Sequence, residues 1–254
     1  MGDTLRARVR RREKIFGSWL NLGSSITAEI AAHAGFDWLL LDGEHGFSDY
    51  NTLLHQLQAI GGSPTAPIVR LPWNDQAFMK RVLDLGPAGI MIPMVNTAVE
   101  AEAAARAFLY PPDGTRGLAK LTRSSGYLAN FPSYFATESR DLILICQIET
   151  PEAVANIDAI AAVERVDVLF VGPTDLSVNL GLLDKTEDPR FQDALRKVVD
   201  AAKSHGKAAG VLTTSSEIAR DYLNLGFTFV ATSSDMLVAT LGMRAVAKEL
   251  NALR

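Results

Sequence analysis

The sequence predicts a single (β/α)8 barrel spanning residues 1–254, and three observations carry that prediction. Short apolar runs recur eight times, each followed by a segment with helical spacing. The runs are continuously apolar rather than alternating, as strands covered on both faces are. Eight such units in 254 residues match the strand count and size of a barrel. A doubly wound sheet is the competing layout. However, no glycine-rich dinucleotide fingerprint opens any helix, and "GSS" at 23–25 and "GPTDLS" at 172–177 are too short for a Walker loop.

The first strand is "IFGSWL" (15–20) and the second "DWLLLD" (37–42), which empties directly into Gly43, Glu44 and His45. "PIVRL" (67–71) is the third and carries Arg70 near its end. In "NDQAFMKRVLDLG", Asn74 and Asp75 offer an N-cap, Phe78, Val82 and Leu85 share one face, and Gly86 supplies a stop. "GIMIPM" (89–94) follows as the fourth strand. Residues 109–141 break the rhythm: they are too long for a plain connection and show no strand. Arg116 and Arg123 lie there, and surface charge and a functional role both stay open for them.

"LILICQIE" (142–149) is the fifth strand and "VDVLFVGP" (166–173) the sixth. "TPEAVANIDAIAAV" and "DPRFQDALRKVVDAAKSHG" read as helices after them, the latter ending in Lys203, His205 and Gly206. "KAAGVLT" (207–213) and "FTFVATS" (227–233) complete the set.

Composition excludes several classes of function. A formal net charge of −4 argues against nucleic-acid binding. One cysteine, Cys146, rules out an internal disulfide framework and suits a reducing cytosol, so a cytoplasmic enzyme is expected. "MGDTLRARVRRREKIFG" is basic but has no apolar stretch behind it for a signal peptide, and Arg6 breaks the myristoylation pattern. It reads as a solvated lead-in. No run approaches the ~20 apolar residues that span a bilayer, so no membrane association is expected.

Barrel enzymes keep their chemistry at the C-terminal ends of the strands. Asp42 and His45, Arg70, Gln147 with Glu149, and Asp175 all fall there, after the second, third, fifth and sixth runs. Gln147 and Glu149 are two apart on a strand and share a side, leaving Cys146 and Ile148 to face the helices. Burying that Gln and Glu is costly without partners. Glu149 and Asp175 form a sparse oxygen site suited to Mg²⁺ or Mn²⁺ rather than Zn²⁺; salt bridges or helix caps are the equal alternative. Asp42, three residues before His45, is placed to accept from its ring and raise its basicity. His33, His55 and His205 fall in helical segments and read as structural.

Taken together, "DWLLLDGEHG", "PIVRLPWND", "GIMIPMV", "YPPDGTRG", "QIETPEA", "VDVLFVGPTDLS" and "GFTFVA" resemble the HpcH/HpaI family of class II pyruvate aldolases, in order from residue 37 to 231. The resemblance implies a barrel that uses a divalent metal (Mg²⁺, Mn²⁺ or Co²⁺) and assembles as a homo-hexamer, its last helix packed on a neighbouring subunit. It implies Glu149 and Asp175 as metal ligands, with Gln147 lining the same site. Arg70 would stabilise an enolate oxygen, and His45 with Asp42 would form an acid–base dyad. Gly172, Pro173 and the backbone amides of Thr174 and Asp175 would hold the carboxylate of a 2-oxo acid. Asp84 would reach a neighbour's site. Thr174 departs from the alanine common at that position in related sequences, and the tract after "RGLAK" is variable.

The implied reaction is reversible aldol cleavage of a 4-hydroxy-2-oxo acid to pyruvate, or a related 2-oxo acid such as hydroxypyruvate, and an aldehyde. The aldehyde pocket would involve Leu212 and the loops after strands one, seven and eight. A Schiff-base aldolase is disfavoured because no strand ends in lysine: Lys207 stands at the start of the seventh run rather than its end, and Lys120 lies in the irregular tract. A CoA-thioester lyase of the citrate lyase type and a non-catalytic 2-oxo acid binder are the remaining alternatives.

Overall fold

A computed structural model describes residues 3–254 and contains a closed, all-parallel barrel of eight strands in sequence order. The strands are β1 (Ile15–Leu20), β2 (Trp38–Asp42), β3 (Ala66–Arg70), β4 (Gly89–Ile92), β5 (Ile143–Ile148), β6 (Val168–Val171), β7 (Ala208–Thr213) and β8 (Phe229–Ser234). Each falls within about two residues of its predicted run, as expected when both strand faces are apolar and glycine or polar residues mark the ends.

The alternation along each strand divides the core in two. Leu39 and Leu41 of β2, Cys146 and Ile148 of β5, and Leu169 of β6 pack outward under the helices. Trp38, Leu40, Ile145, Val168 and Phe170 point into the barrel. There Trp38 stacks on Phe229 at 4.2 Å between ring centroids, with Phe170 edge-on to both. Gly17 makes room for this layer, since a Cβ at that position would overlap the Trp38 indole. The aromatic layer fills the barrel below the mouth, and its upper members, Trp19 and Phe170, form the base of a cavity there.

The basic N-terminal stretch is not a solvated lead-in. Residues Leu5–Arg10 form a helix with buried Val9 that joins the interior core. Arg6 and Arg10 each donate to Asp167 Oδ1 at 3.0 Å, and Arg165 binds the other oxygen. Asp167 is fully buried, so partners from distant parts of the chain are what make its charge tolerable. The fold thus uses this charge to close the N-terminal end of the barrel.

Residues 109–141 contain short helical turns and no strand. Arg116 and Arg123 are not surface charges. Arg116 is buried against the Tyr110 ring and donates to Tyr134 and Asp84. Arg123 donates to the carbonyls of Leu85 and Leu57, tying down the ends of two helices. The last helix, Asp235–Asn251, buries no side chain and exposes Val238, Leu241, Met243, Val246 and Leu250. Among the described residues no helix is long and apolar enough to cross a membrane.

Candidate active site

At the C-terminal mouth the ends of β2 and β3 lie in register, with Asp42 directly opposite Arg70. Both residues point inward, so the pairing becomes a two-pronged bridge: Nε donates to Asp42 Oδ1 at 2.9 Å and Nη2 to Oδ2 at 2.7 Å. Asn21 also donates to Oδ2, and the backbone amides of Glu44 and His45 donate to Oδ1. Asp42 is therefore fully used. Nη1 of Arg70 pairs with Glu44 at 2.7 Å. Burial works against the guanidinium charge, yet Asp42, Glu44 and Glu149 hold it above its ordinary value. Arg70 is a fixed cation whose orientation is set by two carboxylates.

The expected ring contact between Asp42 and His45 is absent. Asp42 accepts from the His45 backbone amide, because Arg70 takes up the carboxylate first. The imidazole is 68% exposed, with Glu44 as its nearest carboxylate at 3.9 Å. Glu44, which sequence reading leaves without a role, sits between His45 and Arg70. Burial pushes its carboxyl up, and Arg70 only partly offsets that.

β5 delivers the second half of the site. Gln147 lies within the strand and Glu149 just past its end, both almost completely buried. Glu149 Oε1 accepts from Gln147 Nε2 at 2.8 Å and Oε2 accepts from the Met94 amide at 3.1 Å. Burial pushes the Glu149 carboxyl up to about 7; the Met94 amide pulls it back, and nearby Asp175 and Glu44 add to the rise. Gln147 Oε1 is buried without a hydrogen-bond partner. Gly172 lets the chain pass close to this carboxyl, since a Cβ there would overlap Glu149 Oε1. Among the described residues no three His, Cys, Asp or Glu side chains form a metal cluster. The oxygens on offer are two carboxylates and one orphaned amide oxygen, a set that fits a hard divalent cation keeping several waters.

These groups line one cavity of about 400 Å³. It brings together Asp42, His45, Arg70, Gln147, Glu149, Gly172, Pro173, Thr174, Asp175 and Leu212. Asp84 does not join them, because it lies at the end of the helix Gln76–Asp84 and pairs with Arg116 at 2.9 Å. The sequence reading missed Trp19, Asn21, Thr213, Thr214, Ser233, Ser234 and Leu237, which line the same cavity. The hydroxyl-rich strand ends "LTTSS" and "ATSSD" are the signal that could have found four of them.

β8 joins β1 through a side-chain strut. Asp235 accepts from the amides of Asn21 and Met236 at 2.8 Å and from the Thr27 hydroxyl at 2.7 Å. The β1–β8 register shifts between Gly17 and Trp19. Beside that shift, Ser233 adopts a left-handed backbone with φ of 66°.

No lysine lines the cavity. Lys207 sits at the opposite end of the barrel, donating to the carbonyls of Val163 and Glu164. Burial pulls its amine down to about 8, but it cannot reach a substrate at the mouth.

The family profile of the HpcH/HpaI aldolase/citrate lyases matches residues 16–240. A 5-keto-4-deoxy-D-glucarate aldolase of Salmonella paratyphi C is 43% identical over 234 residues, covering 92% of this chain and 91% of its own. An HpcH/HpaI aldolase/citrate lyase family protein from Burkholderia cenocepacia superposes with a TM-score of 0.93 at 35% identity, covering 97% of this chain and 98% of its own. An HpcH/HpaI aldolase from Desulfitobacterium hafniense superposes at 0.89 with 29% identity, over 98% and 97%. The barrel, its charged mouth and these likenesses agree: the chain belongs to the HpcH/HpaI aldolase/citrate lyase family and is a carbon–carbon lyase of the aldolase type.

Proposed function

We propose that the protein catalyses metal-dependent, reversible aldol cleavage of a 4-hydroxy-2-oxo acid to pyruvate and an aldehyde. One observation carries this reading: a buried carboxyl raised to about 7, beside an orphaned amide oxygen, shares a cavity with a fixed guanidinium. Glu149 and Asp175 would hold the divalent ion, with Gln147 beside them. When bound, the ion supplies Lewis-acid polarisation of the 2-oxo acid.

The chain's own residues do the rest. Arg70 offers a fixed positive charge where negative charge grows on the keto oxygen as the C3–C4 bond breaks. Asp42 and Glu44 keep that guanidinium oriented, so it does not reorganise during the reaction. Thr174 and Asp175 carry first-turn amides of the helix Pro173–Asn179, which lack intrahelical partners and suit a carboxylate. His45, exposed and free of Asp42, takes the proton of the 4-hydroxyl, directly or through water, and returns a proton to the enolate carbon to give the pyruvate methyl group.

Counted from its nearer carboxylate, the 5-keto-4-deoxy-D-glucarate that names the relatives is itself a 4-hydroxy-2-oxo acid. We extend that substrate class to this chain. A homo-hexamer belongs to the same reading, since the apolar face of Asp235–Asn251 is what a neighbouring subunit would cover. Pyruvate release from 4-hydroxy-2-oxo acids, measured with and without EDTA, tests the reaction. Release abolished by EDTA and restored by Mg²⁺ or Mn²⁺ is expected. Release that survives exhaustive chelation removes the metal, and binding without release leaves a 2-oxo acid carrier.

A further inference from the structure

The cavity has two unlike walls. Arg70, Glu149 and Asp175 make one of them, at the ends of β3, β5 and β6. The other, at the ends of β7 and β8, has no cation; its polar groups are the neutral hydroxyls of Thr213, Thr214, Ser233 and Ser234. Two of those are already committed. Thr213 bonds Thr232 at 2.8 Å and the Ala231 carbonyl, and Ser234 accepts from the Leu237 amide. Ser233 and Thr214 have no hydrogen-bond partner for their hydroxyls among the described residues.

Ser233 stands out further. Its left-handed backbone is one that glycine adopts freely and a side chain resists, yet a side chain is present. The register shift between β1 and β8 lies beside it, and such irregularities re-aim side chains at functional rims. Leu212 and Leu237 supply the apolar surface around the pair.

Resting on the aldolase reading above, we propose that Ser233 and Thr214 determine specificity for aldehydes with a hydroxyl next to the carbonyl, by hydrogen bonding that hydroxyl. A neutral hydroxyl both donates and accepts, which suits two unpaired hydroxyls on an uncharged wall. An apolar aldehyde of equal size would displace water from them and give nothing back, so the site discriminates against it.

The test is condensation of pyruvate with glycolaldehyde and with propanal, which match in heavy-atom count and differ by hydroxyl against methyl. Both kcat and KM are measured for the wild type, Ser233→Ala, Ser233→Gly, Thr214→Val and the Ser233→Ala/Thr214→Val double variant. The wild type is expected to prefer glycolaldehyde, and the double variant to lose that preference by about tenfold, chiefly through a higher KM for glycolaldehyde. Ser233→Gly suits the left-handed backbone and should match Ser233→Ala, which separates the lost hydroxyl from a folding defect. A double variant with wild-type preference, or one impaired equally toward both aldehydes, overturns the assignment. A wild type that condenses both without preference overturns it while the aldolase reading stands. One that condenses neither overturns that reading and this inference with it.

Discussion

At the N-terminal end of the barrel, Asp167 gathers Arg6, Arg10 and Arg165, and Lys207 spends its amine on two carbonyls. At the C-terminal end, Glu149 sits almost as deep with only an amide side chain and one backbone N–H beside it. Gln147 Oε1 has nothing at all. Both ends bury carboxylates and pair some of them, as Arg70 pairs Asp42, but only the C-terminal end leaves one, Glu149, with no cation bonded to it. Charge that is fully paired holds structure together; charge left unbalanced next to a cavity raises the free energy of the empty fold and is available to a ligand. The difference marks which end does chemistry, independently of any motif.

Replacing Glu149 probes this contrast most strongly. Glu149→Gln is expected to cut pyruvate release by about 10³-fold, the scale lost with a group that supports charge in the transition state, without lowering the thermal midpoint. The same variant sharpens the point through pH. Glu149 keeps its proton to about 7 in the fold, above the ordinary carboxylate range. In EDTA the unfolded chain therefore releases that proton first as pH rises, and wild-type stability falls between pH ~4.5 and ~7 by roughly 3 kcal/mol. Glu149→Gln should flatten that slope in urea titrations; an unchanged slope would show that Glu149 is ionised throughout.

Asp167→Asn examines the other end. It leaves three arginines facing one another and is expected to cost about 3–5 kcal/mol in urea unfolding, with turnover per folded molecule maintained. A large loss of turnover in the folded variant would erase the division of labour. His45→Ala is expected to slow cleavage by about 10²-fold, the low end of general acid–base help, as befits an exposed ring without a fixed carboxylate partner. Rates equal to wild type would assign the proton transfer to water. The smallest effect belongs to the exposed N-cap Asp75, which accepts from the Phe78 amide at 2.6 Å. Asp75→Ala should cost about 1 kcal/mol of stability and leave cleavage intact.

Local patterns were enough to foresee much of this. Apolar runs ending in glycine or charge gave the strands, and the two-residue period correctly put Gln147 opposite Cys146 and Ile148. What required register was out of reach. Asp42 and His45 are neighbours in sequence, so their pairing looked natural, but Arg70 lies directly across from Asp42 on the next strand and takes it. The docking of the first helix depends on Asp167, more than 150 residues away, and nothing local announces it. Ser233 escaped for a third reason. A serine at a strand end reads as a polar stop, and only its backbone angle, fixed where β8 meets β1, gives it a different meaning.

The strut from Asp235 to the amides of Asn21 and Met236 also has a consequence for the order of events as the chain folds. β1 meets its partner on one side only when residues 229–234, more than 200 positions further along the chain, reach it. Until then the first strand has one open edge and its loop amides lack their acceptor, so the sheet stays an unclosed arc. Closing that seam joins strands from distant parts of the chain, which makes it a high-contact-order step of folding and the place where a chaperone would find exposed backbone.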